Sequence, residues 1–218
     1  TIYNRQTFCN MPILELREIS GWTSLGWSLD TAAKGTLHAS AGTEFLLTDS
    51  TTFYGCYAQD LIISYDTNGS PEEISSETKT RFFNACGAYF NPRFVLASAP
   101  IFNQHSFVHW EAWDSSGNHI ANYKEKESIY LEENILLLAR WDQYPVIEAY
   151  DRYFTLDDAL NGAITMNKLF EKVIVNDRED GILTNGEQVI IPNFDSIDFI
   201  NNTVHTLTYQ AQDSFGNV

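Results

Sequence analysis

An internal repeat is the feature that most constrains the fold. Three motifs occur twice in the same order, and the second copy follows the first by 83 to 84 positions. The paired segments are residues 25–30 with 108–114, residues 42–47 with 126–131, and residues 51–57 with 135–141. Each copy places a tryptophan, a polar turn, an alternating strand, a second turn and a last apolar strand that ends in an aromatic residue. Because alternation gives a strand one buried face, each copy is predicted to close a small β core of its own.

Local patterns predict strands along most of the chain. Short runs rich in β-branched and aromatic residues lie between turn residues. These predicted strands are residues 44–47, 61–65, 94–96, 127–131 and 172–175. Helix is predicted in one region, where Thr155 caps residues 156–160 and Thr165 caps a segment that reaches Glu171. The buried stripe of that second segment is predicted to be Met166, Leu169 and Phe170.

The repeated segments resemble a known family of surface-protein modules. Residues 21–30 read Gly-Trp-Thr-Ser-Leu-Gly-Trp-Ser-Leu-Asp, and residues 51–57 read Thr-Thr-Phe-Tyr-Gly-Cys-Tyr. This pair of segments resembles the internalin-type B repeat, also called the Listeria–Bacteroides repeat, whose hallmarks are Gly-Tyr-x-Phe-x-Gly-Trp and a closing Thr-Thr-Leu-Tyr-Ala-x-Trp strand. In the second copy Trp110 takes the hallmark position and Trp141 the closing position, while His109 replaces the glycine. The resemblance implies two small β-grasp-like modules in tandem.

The last third of the chain resembles bacterial Ig-like modules of surface proteins. Residues 176–181 read Asn-Asp-Arg-Glu-Asp-Gly and residues 208–217 read Thr-Tyr-Gln-Ala-Gln-Asp-Ser-Phe-Gly-Asn, which match an Asp-x-x-Asp-Gly turn and a Thr-Tyr-x-Ala-x-Asp-x-x-Gly-Asn segment. The resemblance implies a β-sandwich with Leu207, Tyr209 and Ala211 facing its core. In such modules a final strand follows the Gly-Asn turn. We therefore expect the sandwich to lack its last strand, either because the chain is a truncation of a longer protein or because something else supplies the strand, and of the two we expect truncation. The edge beside residues 207–211 is then expected to be open.

A hairpin is also predicted in this last part. Asn185-Gly186 stands between residues 182–183 and 189–191, and Asn-Gly fits a type I′ turn. Taken together, these patterns predict a mainly β chain of three modules. They are a B-repeat-like module over residues 1–58, a second one over residues 59–143 and an Ig-like module over residues 144–218.

Charge excludes two classes of partner. The chain of 218 residues has 13 Lys+Arg and 29 Asp+Glu, a formal net charge of -16. A protein that binds along nucleic-acid phosphates needs a basic stripe, and this sequence has none. The same excess of acidic residues disfavours docking on anionic lipid. No apolar run approaches the ~20 residues of a membrane span. The three scattered cysteines, Cys9, Cys56 and Cys86, provide neither a disulfide scaffold nor zinc spacing.

The tryptophans offer two interpretations. Trp27 and Trp110 lie at equivalent repeat positions, where they are either sugar-stacking platforms or core anchors. The anchor interpretation is favoured, because one indole supplies much of the apolar area of a small β module. Trp113, on the opposite strand face from Trp110, is expected to be partly exposed and is a candidate recognition residue.

Metal and catalytic motifs are weak. His105 and His109 lie about 13 Å apart on a strand, too far to share one ion. Residues 176–187 imitate an EF-hand loop, but Arg178 occupies the third ligand position. The turn of Asp177, Glu179 and Asp180 is either a solvated acidic turn or a calcium ligand set of another geometry. Residues 22–26 lack the leading glycine of a nucleophile elbow. The sequence therefore nominates no catalytic residue, no cofactor-binding residue and no metal ligand.

The resemblances imply a non-catalytic stalk or adhesion region of an extracellular protein attached to a Gram-positive cell wall. The alternative is a set of accessory or carbohydrate-binding modules of a large secreted polysaccharide-active enzyme. The expected partner is a host or cell-wall glycan or protein. We expect no cofactor, no nucleic acid and no direct membrane insertion, and a monomer within a longer chain.

Overall fold

The computed structural model describes residues 7–10, 15–40, 44–47, 51–201 and 204–218, with the side chains of residues 7–10 and 44–47 left out. Strands contain 39% of the residues and helices contain 7%, which confirms the predicted mainly β class. The chain forms two compact units. Unit 1 comprises Thr1–Asn68, Glu73–Ala99 and Trp110–Ala139, and unit 2 comprises Gly69–Glu72, Pro100–His109 and Arg140–Val218.

Sixteen strands, two α-helices and one 3₁₀ turn lie within the described residues. The strands are β1 (Thr7–Asn10), β2 (Thr23–Ser28), β3 (Glu44–Leu47), β4 (Tyr54–Asp66), β5 (Glu77–Asn84), β6 (Ala88–Phe90), β7 (Arg93–Val95), β8 (His105–Asp114), β9 (His119–Tyr123), β10 (Ser128–Tyr130), β11 (Ile135–Gln143), β12 (Val146–Glu148), β13 (Ile174–Asp177), β14 (Gly181–Ile182), β15 (Val189–Ile190) and β16 (Gln210–Ala211). The helices are α1 (Leu156–Leu160) and α2 (Met166–Phe170), and the 3₁₀ turn is Phe194–Ser196. Each strand predicted from the sequence overlaps an observed one.

The largest sheet has seven strands. Its order is β6-β5-β4-β11-β8-β9, and β2 also pairs with β4. β4 and β5 form a long antiparallel ladder from Cys56 opposite Asn84 to Ile63 opposite Glu77. β4 and β11 are parallel, with Ile63 opposite Ile135. β4 continues without a break through the expected boundary at residues 58 and 59, so segments 1–58 and 59–143 contribute strands to one sheet. The three-module division stays a prediction.

The core of unit 1 is built around Trp110. Its indole is fully buried, lies edge-on to Tyr65 with 5.1 Å between ring centroids, and donates from Nε1 to the Ala97 carbonyl at 3.3 Å. The Ala97 amide in turn donates to the Tyr65 hydroxyl at 3.0 Å. The expected burial is thus confirmed for Trp110. It is wrong for Trp27, which is only half-buried on β2; this strand pairs with β4 through a register shift between Ser24 and Gly26.

Helix α2 contributes to the core of unit 2, whereas α1 has no buried residue. Thr155 and Asp158 form a capping box at α1, and the Thr165 hydroxyl accepts the Lys168 amide at 3.2 Å at α2. Leu169 and Phe170 are buried and Met166 packs against the same cluster, so the predicted stripe is confirmed. The rest of the cluster is Val173, Val175, Leu183, Val189, Ile191 and Ala211.

The alternation predicted near the end of the chain is also confirmed. Leu207, Tyr209 and Ala211 pack on the unit 2 core, whereas Thr208, Gln210 and Gln212 are exposed. β16 pairs with β15 in a two-stranded sheet. The sandwich and β-grasp descriptions stay predictions.

The predicted hairpin is wrong. Gly186 has the positive φ of 88° that the turn requires, but the flanking strands do not pair with each other. β14 pairs with β13, and β15 pairs with β16. The Thr184 carbonyl accepts the Gln188 and Val189 amides at 3.0 and 3.2 Å, so the turn closes locally. Local closure leaves the two flanking strands to find partners elsewhere in unit 2.

Candidate functional site

Five carboxylates of unit 2 come together from three segments, and we call them the acidic cluster. Asp142 lies on β11, Asp177 ends β13, Glu179 and Asp180 follow in the turn to β14, and Asp213 begins the turn after β16. The negative charges of the other four all act on Asp142. The fold therefore combines the two turn motifs noted in the sequence with a strand residue that no motif marked.

The turn after β13 is organised by Asp177. Its Oδ1 accepts the backbone amides of Glu179 and Asp180 at 2.8 and 2.7 Å. Gly181 closes the turn opposite Asp177 with φ of 80°, a left-handed conformation that suits glycine. An Asp at the first position and a Gly at the last therefore hold this turn in one conformation.

The turn after β16 is organised by Asp213 and Asn217. Asp213 Oδ1 accepts the amides of Gly216 and Asn217 at 2.7 and 2.8 Å. The Asn217 side-chain Nδ2 donates to Asp213 Oδ2 at 2.8 Å and also to Asp142 Oδ2. The Asn217 Oδ1 accepts the hydroxyl of Ser106. One amide group thus bridges two carboxylates.

The two turns are tied to each other. Asp180 accepts the Ser214 amide at 2.5 Å and the Ser214 hydroxyl at 2.7 Å. These bonds, the backbone one first, hold the pKa of Asp180 below its ordinary value. Glu179 accepts the Gln143 amide at 3.2 Å, which attaches the first turn to the end of β11. The cluster is therefore a junction of three segments of unit 2.

The interior of the cluster is poor in compensating charge. Asp142, Asp177 and Asp213 expose only 9%, 5% and 6% of their surfaces. Burial first, and then the charges of Asp213, Asp177, Glu179 and Asp180, raise the pKa of Asp142 to about 6. The Oδ2 atom of Asp177 is buried and has no hydrogen-bond partner. Within the described ranges, no group of three or more His, Cys, Asp or Glu side chains could hold a metal ion.

A second feature of unit 2 is a shallow groove of about 360 Å³. We call it the tyrosine groove, because Tyr150 and Tyr153 line it with 71% and 91% of their surfaces exposed. Arg152 on its wall donates to the Glu171 carbonyl and pairs with the Glu171 carboxylate at 3.2 Å. Lys168 also bonds Glu171, at 2.9 Å, and this bond is the main cause of the lowered pKa of Glu171. The groove therefore combines two aromatic faces with fixed hydrogen-bonding groups.

The residues singled out in the sequence are dispersed. Trp113 is half-exposed, as expected, and its Nε1 donates to Glu111 at 3.3 Å. Trp22, in the first repeated segment, packs against Phe83 and under the Arg81 guanidinium. His105 stacks on Phe102 with 4.0 Å between ring centroids. Cys56 is a buried free thiol and Cys86 an exposed one, while the side chain of Cys9 lies outside the described residues. None of these side chains belongs to the acidic cluster or lines the tyrosine groove.

Comparison with known proteins gives no relative. No family model, no curated protein and no solved structure matches this chain. None of the helices in the described part of the chain combines the length and apolarity needed to cross a bilayer.

Proposed function

We propose that this chain is a non-catalytic region of a bacterial cell-surface protein, in which β modules act as a stalk and present a surface for adhesion. The tyrosine groove is the observation that carries the adhesive part of the proposal. A large aromatic side chain that is exposed to solvent keeps apolar area that a bound partner can bury, and burying that area favours binding. Tyr153 exposes 91% of its surface, so its ring contributes almost nothing to the core.

The chemistry of the groove favours a glycan as the adhesive partner. A tyrosine ring offers a flat apolar face for the C–H face of a sugar, and its hydroxyl keeps a polar contact with water. Beside the tyrosines, the ion pairs of Glu171 with Arg152 and Lys168 fix hydrogen-bond donors and acceptors in place. Sugar hydroxyls can bond to both kinds of group. Arg152 and Lys168 also offset the charge of Glu171, so the groove repels an acidic sugar less than the rest of this acidic chain does.

The same groove supports the second candidate, a carbohydrate-binding accessory module of a secreted polysaccharide-active enzyme. Both candidates bind a glycan through Tyr150 and Tyr153. They differ in the neighbouring domains of the parent gene. A hydrolase domain favours the accessory module, and a leucine-rich-repeat or sorting-signal context favours the adhesin.

A glycan array with the fluorescently labelled chain tests the proposal. We expect binding to a restricted set of host or cell-wall glycans, with no change in the bound sugar when it is recovered and sized. Tyr153→Ala and Tyr150→Ala should each weaken binding at least tenfold. Tyr130→Ala is the matched control, because Tyr130 on β10 exposes 67% of its surface in unit 1. Equal loss in all three variants, or binding that none of them changes, would refute the groove as the contact surface.

A further inference from the structure

We propose that Arg81 in unit 1 is the centre of a binding site for a carboxylated sugar, a hexuronate. Arg81 lies on β5 and exposes 8% of its surface. Among the ion pairs of the described residues, none includes Arg81, although the chain carries a formal net charge of -16. A buried cation without an acidic partner is costly, and an anionic ligand would offset that cost.

One edge of the Arg81 guanidinium is left for a ligand. Its Nη1 donates to the Glu132 carbonyl, and this is the one hydrogen bond that Arg81 makes within the described part of the chain. Nε is buried and has no partner. Nη2 bonds to no described group either, and it is not among the buried unpartnered atoms, so it keeps contact with solvent. Nε and Nη2 lie side by side, in the geometry that holds both oxygens of a carboxylate.

Two aromatic rings hold the guanidinium in this position. Its central carbon lies 4.9 Å from the ring centroid of Trp22 and 5.4 Å from that of Tyr89. A cation over a ring is attracted by the ring's quadrupole and uses none of its N–H groups for that contact, so the free edge stays available. Tyr89 exposes 57% of its surface and Trp22 is half-buried. Both rings therefore also offer apolar area to the C–H groups of a sugar.

Asn91 supplies the acceptor that favours a sugar acid over a simple anion. In the antiparallel ladder of β5 and β6, Phe82 lies opposite Phe90, and one step further Asn91 follows β6 where Arg81 lies on β5. The Oδ1 atom of Asn91 is buried and has no partner, whereas its Nδ2 donates to the Glu132 carboxylate at 3.5 Å. A hydroxyl near a carboxylate can donate to Oδ1 while the carboxylate accepts from Arg81. A hexuronate carries both groups, so one ligand would satisfy both unpartnered atoms.

Neighbouring charge limits the affinity of this site. The carboxylate of Glu132 bonds to Asn91 and repels an anion at close range. Lys79, two residues before Arg81 on β5, is a second cation, but it is paired with Glu77 at 2.8 Å. We therefore expect a weak site, with a dissociation constant of about 1 mM for a single hexuronate.

NMR titration of the whole ¹⁵N-labelled chain with sodium glucuronate tests this site. The Nε–H signal of Arg81 is assigned by its loss in Arg81→Lys, and we expect it to shift downfield as the bond to the carboxylate forms. Glucose controls for the sugar without the charge, and sodium acetate controls for the charge without the sugar. Each of them should bind at least tenfold more weakly than glucuronate.

Two variants test the roles of the polar groups. Arg81→Lys keeps the positive charge but loses the two-point edge, and should weaken glucuronate binding at least tenfold. Asn91→Ala removes a buried acceptor that has no partner, so the free chain should be at least as stable, and yet glucuronate binding should weaken about fivefold. This second variant keeps the test decisive if Arg81→Lys fails to fold. Arg178→Lys, at an exposed turn of unit 2, is the matched control and should bind glucuronate as the unsubstituted chain does.

Three results would overturn the proposal. They are the absence of a saturable shift at 20 mM glucuronate, which would leave only water on these atoms, equal binding of acetate, and unchanged affinity in the folded variants. The site does not rest on the tyrosine groove, which lies in the other unit. Tyr150→Ala and Tyr153→Ala should leave the shift of the Arg81 signal unchanged, so failure of one site is distinguishable from failure of the other.

Discussion

Replacing Asp142 with asparagine should stabilise unit 2 at neutral pH. The pKa of Asp142 rises from its ordinary value of 3.8 to about 6, through burial and the four neighbouring carboxylates. One unit of pKa corresponds to ~1.4 kcal/mol, so the ionised side chain lowers the free energy of unfolding by about 3 kcal/mol above pH 6. Asparagine removes the charge and keeps an oxygen that can accept the Asn217 side-chain amide. We therefore expect a gain of about 2 to 3 kcal/mol at pH 7.5.

The pH dependence has a definite sign. Between pH 3.8 and about 6 the folded chain holds more protons at Asp142 than the unfolded chain does. Stability from this group is therefore greatest at low pH and is lost as the pH rises through 6. Carboxylates with lowered pKa values, such as Asp180 and Asp198, have the opposite dependence at lower pH, so the informative quantity is the difference between the two proteins.

Hydrogen exchange followed by mass spectrometry measures that difference in unit 2 alone. Peptides that cover residues 166–191 report the opening free energy of helix α2 and of strands β13, β14 and β15. The gain in opening free energy from Asp142→Asn should grow from near zero at pH 4 to its full value at pH 7.5. A constant difference across this range, or a less stable variant at pH 7.5, would refute the electrostatic reasoning.

Two further predictions concern the cores and turns. Trp110→Ala should destabilise unit 1 by about 3–5 kcal/mol in urea denaturation, because it empties a fully buried site. Trp113→Ala, at a half-exposed site, should cost far less. Equal costs would contradict the placement of the two indoles on opposite faces of β8. Gly181→Ala should lower the opening free energy of unit 2 by about 1–2 kcal/mol in the same hydrogen-exchange measurement. The φ of Gly181 is 80° and no atom lies within 4 Å of an added Cβ, so the cost is conformational strain alone. An unchanged opening free energy would contradict this reasoning.

Local features were predictable from the sequence. Both helix caps, the buried pair Leu169 and Phe170, and the alternation of residues 207–212 were predicted correctly. In each of these cases the signal lies within a few residues, where capping geometry and the two-residue period of a strand act directly.

Long-range pairings were not predictable. The Asn185-Gly186 signal specified a turn but not which strands pair across it. The parallel contact of β4 with β11 joins residues about seventy positions apart, and nothing local encodes it. Predicting the acidic cluster would also have required knowledge of which distant segments lie together in the fold. Along β11 the buried positions are Ile135, Leu137, Ala139 and then Asp142, so the simple alternation breaks just before the residue that matters.

Adhesion under flow tests the proposed function most directly. Beads coated with the whole chain through a terminal tag would be passed over immobilised glycans identified by the array, or over host cells that display them. The proposal predicts that wild-type and Tyr130→Ala beads resist detachment alike, and that Tyr150→Ala and Tyr153→Ala beads detach at several-fold lower shear stress. Wild-type beads that detach as readily as uncoated ones, or tyrosine-groove variants that hold as firmly as the wild type, would contradict it.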